Sequence, residues 1–296
     1  MQGPIMIQRM VFSVGGDSVV GDLHLPDEGA TGSVVVVAGP MTSVKEQVTG
    51  VYAAALAARG IAALAIDHRT YGQSGGAPQN YENWRWKVED LAAALDALAV
   101  DVPGIDPNRL GAAAICLGCG YAATLAAGDA RIRSLGLVAG YYRDPKAMRA
   151  NDPEGFDARV AQGRQARLHY ESTGEVLSIP AAALEGDAAM QTADTVDYYT
   201  QRAAVPNYRN AFAIMSREHF LPFDVQIAAP RIQVPVHMVH SEKALSPNWA
   251  RAFYDALPGP KSLEWLISRG QTDFYDDADL ISASADQLAQ HFKATL

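Results

Sequence analysis

Two sulfurs three residues apart are the groups that this chain sets in the most telling local context. Leu110-Gly-Ala-Ala-Ala-Ile-Cys-Leu-Gly-Cys-Gly-Tyr121 opens as a continuous apolar run and continues at helical spacing. Cys116 therefore falls at a strand-to-helix corner, in the small-x-Cys-x-small pattern Ala114-Ile115-Cys116-Leu117-Gly118. A strained turn of this kind lifts a nucleophile above the end of a sheet, and its flanks must be small because strand and helix backbones nearly touch there. A thiol at a helix N-terminus also meets the positive end of the helix dipole, which predicts thiolate character. An isolated cysteine is more often a small buried hydrophobe; the strand–turn–helix context favours the chemical reading.

Cys116 and Cys119 also form a C-x-x-C pair. Zinc would need a second ligand pair at matching spacing, which the chain lacks, and a thioredoxin-like redox pair would sit early in a much shorter domain. Cys119 is expected to pack as a hydrophobe. Other reactive side chains have plain alternatives. His68 follows Asp67 in a loop and is expected to brace the corner. His240 ends an apolar run and reads as a satisfied core histidine. Glu46 is expected to cap a helix or pair with Lys45. Trp84, Trp86 and Trp249 stand at helical positions and read as packing.

The elements that must position Cys116 follow from periodicity. Residues 8–14 and 18–25 alternate around Gly15, Gly16 and Asp17, the signature of a hairpin. Strands are then expected at 34–37, 61–66, 110–115, 132–138, 234–239 and 262–267. The expected helices are 44–59, 83–98, 117–127, 247–256 and 280–291. This alternation implies an α/β fold with a mostly parallel eight-stranded sheet flanked by helices. From about 143 to 230 the rhythm stops. The polar, tyrosine- and phenylalanine-bearing stretch there is read as a helical lid inserted into one domain, with core residues 1–142 and 231–296.

Bulk properties narrow the partners. The 296 residues are 49% hydrophobic and 19% charged, ordinary for a folded α/β chain, and the formal net charge is −9. An acidic surface without a Lys/Arg cluster argues against nucleic acid and anionic membrane. No apolar run reaches the roughly 18–20 residues that span a bilayer. The start, MQGPIMIQRMVFSV, lacks the basic-then-apolar plan of a secretion signal, and only two cysteines are present, so the cytoplasm is the expected compartment. No metal or organic cofactor is expected, since there is neither a zinc-type cluster nor a G-x-G-x-x-G after the first strand. A homodimer is compatible with the chain.

Four stretches together resemble the α/β-hydrolase superfamily. They are Gly39-Pro-Met-Thr-Ser-Val-Lys-Glu-Gln47, Asp67-His-Arg-Thr-Tyr-Gly-Gln-Ser-Gly75, the Cys116 corner and Asp273-Phe-Tyr-Asp276. Within the superfamily the chain resembles the dienelactone-hydrolase-like branch with cysteine at the elbow, and the polyketide-transferase or thiohydrolase-like members. The resemblance implies an oxyanion site made by two backbone amides. One is that of Leu117; the other comes from the loop after Gly39, where Pro40 has no N–H, so that Met41 or Thr42 must supply it.

The resemblance also implies an acid and a histidine late in the chain, and here the sequence departs from the pattern. The acid region, Val239-His-Ser-Glu-Lys-Ala-Leu-Ser-Pro247, carries Ala244 at the expected position, with Glu242 the nearest carboxylate. The histidine position falls on Gln271, and Gln cannot accept and return a proton near neutral pH. Three consequences compete. Cys116 could attack as a thiolate while Glu46 or Glu242 handles the proton. His219, within Ser216-Arg-Glu-His-Phe220, could swing in. Or the fold steers a non-hydrolytic cyclisation, dehydration or isomerisation, with Cys116, Gln271 and Asp273 as positioning groups. The leading expectation is an acyl-processing enzyme acting through Cys116 on an ester, thioester or lactone of a hydrophobic small molecule, of polyketide type by resemblance. The incomplete triad also leaves a non-catalytic ligand-binding protein as an alternative.

Overall fold

The computed structural model describes residues 6–27 and 32–296. Residues 1–5, which open the segment read for a secretion signal, and residues 28–31 lie outside the described residues. The chain starts with a hairpin of β1 (Met6–Val14) and β2 (Asp17–Leu25), antiparallel over their whole length. Gly15 and Gly16 make the two-residue turn at φ 60° and 94°. Positive φ at both central positions is the geometry that matches strand twist, and glycine takes it at no steric cost.

Next come β3 (Val34–Ala38), α1 (Val48–Ala57), β4 (Ala62–Asp67), α2 (Trp84–Asp101), β5 (Leu110–Ile115), α3 (Gly118–Ala126) and β6 (Ile132–Val138). Every residue of β3, β4 and β5 is buried, as their unbroken apolar runs require of strands covered on both faces. A long segment follows: α4 (Pro145–Asn151), α5 (Pro153–Thr173), a two-residue ladder of β7 (Ser178–Ile179) with β8 (Phe212–Ala213), α6 (Ala193–Asp197) and α7 (Arg217–Phe220). Asp144 and Asp152 cap α4 and α5 through side-chain bonds to backbone amides, each followed by a proline in the first turn. The chain ends with β9 (Val236–His240), α8 (Pro247–Ala256), β10 (Lys261–Trp265), α9 (Asp273–Asp276) and α10 (Ala278–Thr295).

The large sheet has the order β1-β2-β4-β3-β5-β6-β9-β10. Pairing is antiparallel at β1–β2 and β2–β4 and parallel from β4 to β10. This is the expected fold class, with β5 near the middle and helices on both faces. No helix among the described residues is long and apolar enough to cross a membrane.

One boundary differs from the sequence expectation in a way that matters. Residues 44–47 have helical spacing, yet α1 begins only at Val48. The preceding loop is held by side chains instead. Gln47 Oε1 accepts from the Val44 amide at 3.1 Å, and Asp67 Oδ1 accepts from the Lys45 amide at 2.7 Å. These bonds outcompete a first helical turn and fix the loop beside the end of β5.

Candidate active site

Cys116 sits where β5 stops and α3 starts, at φ 56°, the left-handed region that a residue with a Cβ rarely adopts. The turn is locked on three sides. The Cys116 amide donates to Val138 O at 3.2 Å, and Cys116 O accepts from the Tyr141 and Cys119 amides at 3.0 and 3.1 Å. Gly118 explains the small flank: a Cβ there would lie 2.3 Å from Ala38 O of β3. Cys119 is fully buried and its sulfur donates to Ala114 O at 3.3 Å, so it packs as expected; both cysteines are free thiols.

The Cys116 sulfur borders a cavity of about 300 Å³, also lined by Met41, Arg143, Tyr199, Gln271 and Tyr275. The Leu117 amide and the Tyr275 hydroxyl both hydrogen-bond the sulfur and favour its charged form. Burial opposes them and wins, pushing the thiol up to about 11. The thiolate expected from the helix dipole is thereby corrected. A dipole contributes roughly 0.3–1 kcal/mol, less than one pK unit, whereas the upward displacement from 9.0 corresponds to nearly 3 kcal/mol at about 1.36 kcal/mol per unit.

In the loop after β3 the two candidate amides differ in their bonding. The Thr42 amide is already bound to Glu82 Oε2 at 2.8 Å, with Thr42 itself at φ 61°. The Met41 amide donates to no acceptor among the described residues, and Met41 and Pro40 both border the cavity. Glu82 is a buried anchor. Its carboxylate also accepts from Tyr71 (2.9 Å) and Tyr121 (2.6 Å) and pairs with Lys87 at 2.7 Å. Burial alone would raise the Glu82 carboxyl, but Lys87 and the donors hold it below its ordinary value. Lys87 in turn lies 4.7 and 5.2 Å from the ring centres of Tyr71 and Tyr121.

Gln271 occupies the cavity wall and is fully bonded. Its Oε1 accepts from the Leu245 amide at 2.8 Å, beside Ala244, and its Nε2 donates to Ala139 O at 2.8 Å and Tyr275 Oη at 3.1 Å. A backbone amide thus meets Gln271 in the region where a carboxylate would meet a histidine. Tyr275 connects Gln271 to Cys116, giving a run of hydrogen bonds from Leu245 through Gln271 and Tyr275 to the sulfur.

The remaining sequence candidates are placed elsewhere. Glu46 accepts from Lys45 (2.8 Å) and Asn207 (2.7 Å) and does not line the cavity. Glu242 is exposed and paired with Arg251. His68 is buried with Nδ1 3.2 Å from Asp90 Oδ2, a bracing contact behind the site. Asp273 is held by Arg269 at 2.8 Å. His219 borders a different cavity of about 250 Å³ beside Trp84 and Phe223. Among the described residues no imidazole or carboxylate lines the Cys116 cavity. Among the described residues no group of three or more His, Cys, Asp and Glu comes together to hold a metal. Sequence reasoning missed Tyr275, Glu82 and Arg143. The Tyr275 signal lay in Asp273-Phe-Tyr-Asp276, four residues beyond Gln271 and so one helical turn away.

The fold has known counterparts. The family model described as serine aminopeptidase, S33, matches residues 28–266. An uncharacterized protein of Pseudomonas aeruginosa, PA2218, is 30% identical over 94% of this chain and 77% of its own. Its crystal structure superposes with a TM-score of 0.83, covering 99% of this chain and 94% of that one. YcjY of Escherichia coli K12, also uncharacterized, is 30% identical over 91% of each chain. A thiohydrolase of Aspergillus aculeatus, aneE, is 25% identical over 87% of this chain and 84% of its own. The family and these relatives mark a hydrolase-type enzyme. With most of its length matched, from the strand before the oxyanion-side loop to the last strand of the sheet, this chain belongs to the serine aminopeptidase S33 family of α/β-hydrolases.

Proposed function

We propose that this protein accepts the acyl group of a hydrophobic ester, thioester or lactone onto Cys116, with thioesters the preferred donors. The observation that carries the reading is a thiol held at positive φ on the floor of a cavity, next to the Met41 amide, which has no acceptor among the described residues, and the Leu117 amide, which donates only to the sulfur itself. These amides are suited to hold the oxyanion of a tetrahedral intermediate. The resemblance to a thiohydrolase supports the thioester preference.

The missing histidine sharpens that preference. An alkoxide leaving group needs an acid, and a neutral thiol attacking an ester needs a base; among the described residues the cavity offers neither imidazole nor carboxylate. Thiol–thioester exchange makes a smaller demand. The Cys116 sulfur bonds to the acyl carbon, the bond to the donor sulfur breaks, and the Cys116 proton ends on the departing thiol, passing by way of the Tyr275 hydroxyl. The products are S-acyl Cys116 and a free thiol. Release follows when water, an alcohol or an amine attacks the thioester carbon: the new bond to the acyl carbon forms, the bond to the Cys116 sulfur breaks, and the nucleophile's proton returns to the Cys116 thiol. Met41, Met148 and Met190 give the walls an adaptable apolar surface that suits a flexible acyl chain.

Incubation with an octanoyl thioester of N-acetylcysteamine tests this. The expected result is one octanoyl group per chain by intact mass, with release of an equivalent of thiol, both lost in Cys116→Ala. Equal acylation of Cys116→Ala overturns the proposal. The base-free cavity favours a second reading, in which the fold steers a non-hydrolytic rearrangement; full turnover of a natural substrate by Cys116→Ala would select it.

A further inference from the structure

Arg143 follows the turn after β6 and is 1% exposed, yet it borders the Cys116 cavity. No carboxylate lies within ion-pair distance of its guanidinium among the described residues. Nη2 donates to Leu221 O at 3.1 Å and approaches Met148 Sδ at 3.6 Å. Nε is buried without a partner, and Nη1 makes no hydrogen bond among the described residues. The guanidinium stacks over Phe220 at 4.1 Å and lies 5.5 Å from Tyr141.

A guanidinium remains protonated throughout the working pH range, so this is a permanent buried charge. Contacts with ring faces recover part of its lost hydration, but a buried N–H without a partner is costly to leave unmet. Each of the other buried arginines, Arg69 and Arg217, has a carboxylate partner: Arg69 has Asp90 and Glu89, and Arg217 has Asp187. Arg143 alone among them is directed at the space that the substrate would fill. Cys116 and Arg143 share one cavity, so a molecule bound at the first can reach the second.

We propose that Arg143 receives a carboxylate carried by the acyl substrate, so that the preferred donor is a thioester whose hydrophobic acyl chain bears a second, negatively charged end. The inference rests on the acyl-acceptor reading of Cys116 and adds the class of acyl group. The anionic end fixes the chain in one direction along the cavity, while the apolar walls accommodate what lies between.

Two arms of one experiment separate this inference from the reading beneath it. In the first, the full chain is acylated with 8-carboxyoctanoyl N-acetylcysteamine and with its methyl ester, and the rate of thiol release is followed at low thioester concentration. One charge-assisted contact in a buried site is expected to favour the free acid by about 10–100-fold, with the preference abolished in Arg143→Met and partly kept in Arg143→Lys. Acylation of the wild type at equal rates by both donors overturns the carboxylate assignment and leaves the acyl reading standing. In the second arm, Cys116→Ala is titrated calorimetrically with nonanedioate monomethyl ester and with the corresponding dimethyl ester. Binding of the acid alone, lost in Cys116→Ala/Arg143→Met, supports the Arg143 subsite even if no donor acylates Cys116. Equal binding of the two esters refutes it. Arg143→Met replaces an unpaired charge with an apolar chain of similar length, and its thermal melt checks that the fold survives.

Discussion

The displaced titration of Cys116 gives the most direct test of how this site works. Its thiol is pushed up to about 11 from an ordinary 9.0. At pH 7 this leaves about one thiolate in 10⁴ chains, against roughly one in 10² for an ordinary cysteine, a hundredfold deficit. A more basic thiolate is also the better nucleophile, by a Brønsted slope of about 0.4–0.5 per unit, which recovers roughly six- to tenfold over two units. The net expectation is alkylation by iodoacetamide about ten- to twentyfold slower than that of an unhindered model thiol at pH 7. More telling is the shape of the profile. The rate should climb about tenfold per pH unit through pH 9 and 10 without levelling, because the inflection lies near 11. Cys116→Ala measures what the fully buried Cys119 contributes. Tyr275→Phe removes a donor to the sulfur and should lower the neutral-pH rate by a further factor of about ten or more, the worth of a hydrogen bond to a charged group. A plateau reached below pH 8 would refute the argument that burial governs this thiol, and an unchanged profile in Tyr275→Phe would refute the contribution of the phenol's hydrogen bond.

Three further outcomes are expected. Gln271→His places an imidazole one hydrogen bond from Tyr275, and steady-state hydrolysis of a p-nitrophenyl ester should rise by about 10²-fold near pH 7.5; no change in a folded variant tells against the placement of this loop. Glu82→Gln leaves Lys87 charged and unpaired in the core, and chemical denaturation should register a loss of roughly 3–5 kcal/mol. His291 is pushed down to about 4 by burial and then by the neighbouring His237. Its ordinary value is 6.5, so the unfolded chain takes up the proton first, and stability falls as the pH drops from 6.5 towards 4. After allowance for partial exposure the loss amounts to about 2–3 kcal/mol, and His291→Gln should flatten that slope in denaturation curves at pH 7 and 4.5.

The framework was legible wherever one local signal sufficed. Gly15-Gly16 announced its hairpin, and the unbroken valines of β3 announced a strand covered on both faces. The Cys116 corner was legible because small flanks and a change of period coincide there. Gln271 could be placed by its spacing from Asp273-Phe-Tyr-Asp276. What escaped depends on partners distant in sequence. Glu82 stands in a loop forty residues beyond Thr42, whose amide it binds, and nothing local marks it as an anchor. Arg143 resembles any polar residue at the start of a polar segment until Phe220 and Leu221 return to enclose it. The direction of the Cys116 shift failed for the same reason. Helix polarity is a local property and could be foreseen, but burial is set by the whole assembly around the sulfur.

The segment between β6 and β9 supplies Met148, Met190, Phe220 and Leu221 to the cavity, whereas Cys116, Gln271 and Tyr275 hang from elements attached to the sheet. The groups proposed for acyl capture and this part of the chamber wall thus lie on separate lengths of chain. Exchange of residues within the insertion can reshape the chamber while the sulfur, its amides and the phenol keep their positions. A new specificity in this scaffold would therefore call for changes in the insertion alone, leaving the corner that carries the sulfur as it is.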